Sequence, residues 1–151
     1  MKTQANPVYV LSSARIPFAK SQTAYANVSR KELMIGSLNA LVEKAGLKGK
    51  LVDDVALGAL MISSSDWNLA RECVLSTQLH PDTPGYNVQR ACGTSLETTW
   101  HLALKIHTGG IRLGISGGID TNSDLPIEVS DSMQKFLLQL NAAKSLGDKL
   151  K

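Results

Sequence analysis

The 151-residue chain carries 16 Lys and Arg against 13 Asp and Glu, a net charge of +3, and it is 43% hydrophobic and 19% charged. This is the composition of an ordinary folded domain, long enough to bury roughly 70% of its extended-chain surface. Scattered basic residues and few aromatics exclude a nucleic-acid stripe or stacking platform, and no apolar run approaches the ~20 residues of a membrane-spanning helix.

In chain order, Val8-Tyr9-Val10-Leu11 reads as a first strand. Ser29-Arg30-Lys31-Glu32 is a capping box that opens a helix with Met34, Leu38, Leu41, Val42 and Ala45 on its apolar face, and Gly46 ends it. An apolar strand from Val55 to Ile62 follows, then a helix from about Asn68 to Leu79. Next come a short strand, Tyr86-Asn87-Val88, a helix running to about His107, and a strand from Ile111 to Ser116. Gly109-Gly110 stops the helix that runs to about His107, and Gly117-Gly118 is expected to turn the chain after the last strand. Ser130 or Asp131 can cap a final helix with Met133, Phe136, Leu137 and Leu140 on one face. The alternation specifies an α/β domain. The glycines at 114, 117 and 118 do not fit a dinucleotide-binding pattern, which opens a helix after the first strand.

The residue with the strongest chemical address is Cys92, in Arg90-Ala91-Cys92-Gly93-Thr94-Ser95-Leu96-Glu97, between the short strand and the helix that carries Leu96, Trp100, Ala103, Leu104 and His107 at helical spacing. A thiol at a helix N-terminus faces unpaired backbone N–H groups and the positive end of the helix dipole, which favours a thiolate nucleophile. Gly93 leaves room for a carbonyl substrate to approach. The alternative is a buried core cysteine, the commoner fate of a free thiol. Cys73, in Asn68-Leu69-Ala70-Arg71-Glu72-Cys73-Val74-Leu75, has no glycine neighbours and reads as core. The N-terminus lacks a charged-then-apolar leader, so a reducing, cytoplasmic compartment and free thiols are expected. No Cys/His or Asp/Glu set has metal-ligand spacing, and no metal is expected.

The segment from Pro84 to Asp124, with Asn87 to Glu97 followed by Gly114-Ile115-Ser116-Gly117-Gly118-Ile119-Asp120, resembles the N-terminal half of the thiolases, and most closely the fatty-acid-oxidation 3-ketoacyl-CoA thiolases. Val10 to Phe18, with its Arg15-Ile16-Pro17-Phe18 turn, and Asn141 to Leu150 resemble further parts of the same half. Ser95 stands where a glycine is common in that family, and Arg90 where glutamine is frequent. The resemblance implies the N-terminal half of the thiolase fold, a layered α/β/α arrangement of a mixed sheet with helices whose Cys92 helix lies in a central layer, with residues 1–124 as the domain core and 125–151 as the truncated start of a loop domain that helps bind coenzyme A. It also implies that Cys92 is the acylated nucleophile.

The implied reaction is 3-ketoacyl-CoA plus CoA giving acyl-CoA and acetyl-CoA, as in fatty acid β-oxidation. Coenzyme A is then a substrate, and no cofactor is permanently bound. Expected partners are acyl-CoA, a second copy in a dimer or higher homo-oligomer, and a fatty-acid-oxidation subunit. The family's Gly-His-Pro histidine and Cys-x-Gly-Gly-Gly cysteine belong to the other half. Here His80, in Leu79-His80-Pro81, reads as a loop residue, and His101 and His107 lie on the Cys92 helix, with His101 too far along it to reach the thiol. The isolated chain is therefore expected to be catalytically incomplete. The alternatives are a non-catalytic thiolase half that acts by association and a fragment of a ketosynthase-type condensing enzyme.

Overall fold

A computed structural model describes residues 5–142. The stretch from 143 onward, including most of the Asn141–Leu150 segment that carries part of the resemblance, lies outside the described residues.

Helix α1, Arg30–Lys44, opens as its sequence requires: the Ser29 hydroxyl accepts from the Glu32 N–H, and the Glu32 carboxylate accepts from the Ser29 N–H at 2.8 Å. A cap of this kind stabilises a helix by about 1 kcal/mol. The helix ends at Ala45, where Gly46 takes φ +65°, a backbone that residues with a side chain seldom adopt. Strand β1, Asp54–Leu57, and helix α2, Leu69–Leu75, follow, the latter capped by Asn68. Then come β2, Gly85–Asn87, α3, Thr94–His107, β3, Gly114–Ser116, and α4, Asp131–Ala142.

The three strands form a parallel sheet in the order β2-β1-β3. Because side chains alternate along a strand, the two faces of β1 meet different helices. Val55 and Leu57, with Ile115 of β3, join Met34, Leu38 and Val42 of α1 and Ala70, Cys73 and Val74 of α2 in the main core. On the other face Lys105 of α3 reaches Asp54, Leu102 packs at Gly114, and Thr99 bonds Ser116 at 2.9 Å. Small groups on this face, Ala56, Gly114 and Ser116, let α3 approach closely. Complete burial of side chains such as Val42, Val55, Leu57 and Val74 contributes about 1.5–3 kcal/mol each.

Several sequence expectations need correction. Val8–Leu11 forms no strand: Tyr9, Val10 and Leu11 are 73%, 86% and 80% exposed. The segment is tied at Asn6, whose N–H donates to the His107 carbonyl at 3.0 Å. β-Propensity alone supplies no ladder partner. The strand expected over Val55–Ile62 ends at Leu57, and the residue after it, Gly58, lies in a close crossing with the segment that leaves β2: a Cβ there would overlap the Val88 carbonyl oxygen and the Thr94 methyl. Gly117-Gly118 does not turn the chain. Gly117 N–H donates to the Ala56 carbonyl and Ile119 N–H to the Gly58 carbonyl, so the pairing with β1 continues past β3. The glycine at 118 is needed for space, since a Cβ would stand 2.9 Å from the Ser95 Cβ.

The face of α3 that packs on the sheet is not its most apolar one. Thr94, Thr98 and Leu102 are buried, whereas Leu96, Trp100 and Leu104 are exposed. The surface beneath α3 is small and hydrogen-bonding, and Thr98 suits it by donating to the Ser95 and Gly117 carbonyls.

Two outcomes follow from this packing. Gly58→Ala is expected to lose about 1–3 kcal/mol in chemical denaturation, since backbone cannot yield as a flexible side chain does; an unchanged midpoint would contradict the close approach. The hydrogen bond from Lys105 to Asp54 holds the ammonium above its ordinary range. That contribution is complete below the unfolded lysine value of about 10.4 and is lost as pH rises through the folded one. The difference in thermal midpoint between the natural chain and Lys105→Met should therefore shrink above about pH 10.4, and a constant difference would contradict it.

Candidate active site

The chain leaves the carboxyl end of β2 with Val88 N–H donating to the Leu57 carbonyl at 2.9 Å, and it reaches Cys92 four residues later. Helix α3 begins at Thr94 with Gly93 as its cap, so Cys92 stands one residue ahead of the cap. The turn that presents it is tightly bonded. Gly93 N–H donates to the Arg90 carbonyl at 3.0 Å, Thr94 N–H to the Ala91 carbonyl at 3.2 Å, and Arg90 and Cys92 form a short bridge. Gly93 itself takes φ −89°, which any residue adopts. The left-handed backbone falls on Ala91, at φ 44°, a conformation costing roughly 1–2 kcal/mol for a residue with a Cβ.

The two cysteines are free thiols in opposite settings. Cys92 is exposed. Cys73 has no exposed surface, and burial, with Asp66 adding to it, pushes its thiol up to about 12. Cys73 is core, as its helical context suggests, and it has no nucleophilic role.

Around the Cys92 turn lies a polar network. The Arg90 guanidinium donates to the Glu97 carboxylate at 2.6 Å, and His101 Nε2 lies 3.4 Å from the other Glu97 oxygen. The His101 ring stacks on Tyr86 of β2 with centroids 6.4 Å apart, and the Lys105 ammonium sits 4.4 Å above the same tyrosine. His80 lies in the expected turn, its Nδ1 accepting from Asp82 N–H, and His107 pairs with the Asn6 carbonyl. Each of the three histidines is thus engaged away from Cys92. A cavity of about 660 Å³ lies between α1, the 12–21 segment and the loop after β3; Ser95 and Thr99 border it, but Cys92 does not.

Among the described residues no cluster of three or more His, Cys, Asp or Glu is arranged to hold a metal ion, and no helix is long and apolar enough to cross a membrane. Thr94 and Glu97 lie within the quoted motif and Gly58 lies outside it; what distinguishes all three is three-dimensional contact, which the sequence does not show.

Iodoacetamide should add one group to the native chain, at Cys92, and two in denaturant, as read by intact mass and peptide mapping. Modification of Cys73 in the native chain would contradict this assignment.

The family profile described as "Thiolase, N-terminal domain" matches residues 8–148. The 3-ketoacyl-CoA thiolase of Shewanella denitrificans is 37% identical over 142 residues, covering 94% of this chain and 33% of its own. That of Photorhabdus laumondii is 36% identical over 148 residues, covering 98% and 34%. The solved structure of the Bacillus anthracis acetyl-CoA acetyltransferase superposes with a TM-score of 0.76 at 26% identity, covering 82% of this chain and 32% of that one. The chain spans about a third of the length of the curated relatives it matches. It belongs to the thiolase family and has the α/β fold of that family's N-terminal domain.

Proposed function

We propose that Cys92 is the acyl acceptor of a thiolase reaction. The observation that carries this reading is an exposed thiol, held by a bonded turn immediately ahead of α3, in a chain that belongs to the thiolase family, while the second thiol is sealed in the core. The Cys92 thiolate attacks the keto carbon of a 3-ketoacyl-CoA. The bond to the α-carbon breaks, and acetyl-CoA leaves as its enolate and takes up a proton. The acyl thioester on sulfur then passes to the thiol of free CoA, regenerating Cys92. The Cys92 N–H is a candidate donor to the oxyanion that forms on the carbonyl oxygen. Coenzyme A acts as substrate throughout, in keeping with the names of the relatives, and β-oxidation is the degradative setting of this reaction.

Activation of the thiol and protonation of the leaving carbon need general acid–base groups, and the three histidines are engaged elsewhere. A missing base and a missing second oxyanion donor each cost ~10²-fold or more. On this reading the 151-residue chain alone is acylated slowly and turns over negligibly. The exposed stripe Leu96, Trp100 and Leu104 on α3 supports a companion half or a second copy covering that face, as in a dimer.

Incubation with acetoacetyl-CoA, followed by intact-mass spectrometry, tests the reading. An acyl adduct retained in Cys73→Ala and lost in Cys92→Ala is expected. Absence of any adduct, or one that survives Cys92→Ala, would overturn it and favour a non-catalytic half that acts by association.

A further inference from the structure

We infer that Thr94 is a positioning residue that fixes the Cys92 turn to the sheet so that the thiol and the Cys92 N–H meet a carbonyl together; this rests on the reading of Cys92 as the acyl acceptor. Thr94 is buried, with 3% of its surface exposed, although it opens a helix at the molecular surface. Its hydroxyl is used in both directions. It accepts from the Arg90 N–H at 2.8 Å and donates to the Ala91 carbonyl at 2.8 Å, spanning the residues that precede Cys92. Its methyl group rests where the chain passes Gly58, at the end of β1, so the side chain is a post standing on the sheet.

This double attachment explains how Ala91 is kept in a left-handed backbone. With Arg90 N–H and Ala91 C=O pinned by one hydroxyl, relaxation of φ at Ala91 would break both bonds, and Ala91 sets the direction in which the Cys92 side chain and N–H project. Valine has the same shape and cannot make either bond. Serine keeps both and loses only the methyl. An ordinary helix-capping role predicts a change in stability alone. A positioning role predicts a change in the kind of reaction Cys92 performs, because attack on a carbonyl needs sulfur and an oxyanion donor in register, whereas alkylation needs only an accessible sulfur.

The two roles separate with reagents that require no recognition of coenzyme A. p-Nitrophenyl acetate acetylates Cys92 by forming a C–S bond and expelling p-nitrophenolate, with the thiol proton passing to solvent; iodoacetamide alkylates the same sulfur. In the full chain, with peptide mapping at Cys92, Thr94→Val should lower the acetylation rate relative to the alkylation rate by about tenfold. Thr94→Ser should restore the ratio. Cys73 reports the fold in the same samples by staying unmodified, and if it reacts in Thr94→Val, Thr94→Ala, which puts no second methyl against Gly58, takes its place. An unchanged ratio in a folded variant without the hydroxyl overturns the inference. A lowered ratio in a chain that acetoacetyl-CoA fails to acylate would sustain the role of Thr94 while removing the coenzyme A reading.

Discussion

The crossing at Gly58 is the constraint on which the rest of the structure depends. At that point the Val88 carbonyl oxygen and the Thr94 methyl both occupy the space a Cβ would need. One glycine therefore allows the segment leaving β2 and the first residue of α3 to lie close against the end of β1. The same residue gives its carbonyl to Ile119 N–H, so the pairing that extends β3 is anchored there too. The Cys92 turn is in effect an extension of the sheet, and the burial of Val55, Leu57 and Ile115 beneath α1 and α2 lends it rigidity.

Much of this was legible in the sequence where local chemistry decides the outcome. The Ser29-to-Glu32 capping box, the stop at Gly46, the Asn68 start of α2 and the placement of Cys92 just before a helix all depend on residues within a few positions of one another. The contrast between the cysteines was legible as well, since Cys73 lies on the apolar face of a short helix. What escaped the sequence depends on partners far along the chain. Val8–Leu11 has the composition of a strand and lacks a ladder, and Gly117-Gly118 looks like a turn but is a close-packed continuation of β3. On α3 periodicity finds the apolar stripe, here Leu96, Trp100 and Leu104, but does not mark the face that packs on the sheet, which includes threonines whose hydroxyls bond backbone carbonyls.

Polar contacts on α3 tie the Cys92 turn to the far end of the same helix. Arg90, which stands where glutamine is frequent in the family, pairs with Glu97, and Glu97 also meets His101, whose ring stacks on Tyr86 beneath the Lys105 ammonium. The Arg90 side chain is mostly exposed, so this ion pair adds little stability. Lys105 closes the run on Asp54 at the start of β1, so both ends of the central strand are fastened to α3, one by packing and one by charge. A helix held at both ends beneath, with an apolar stripe on its outer side, has the form expected of a layer that another body covers.

The central claim is that the Cys92 turn is a rigid part of the sheet. Native-state hydrogen exchange, resolved by residue, measures this directly. The amides of Val88, Arg90 and Thr94, which donate to the Leu57 carbonyl, the Thr94 hydroxyl and the Ala91 carbonyl, should exchange about as slowly as the core amide of Val55. Exchange of Arg90 and Thr94 at the rate of an unstructured peptide, with Val55 still protected, would contradict it.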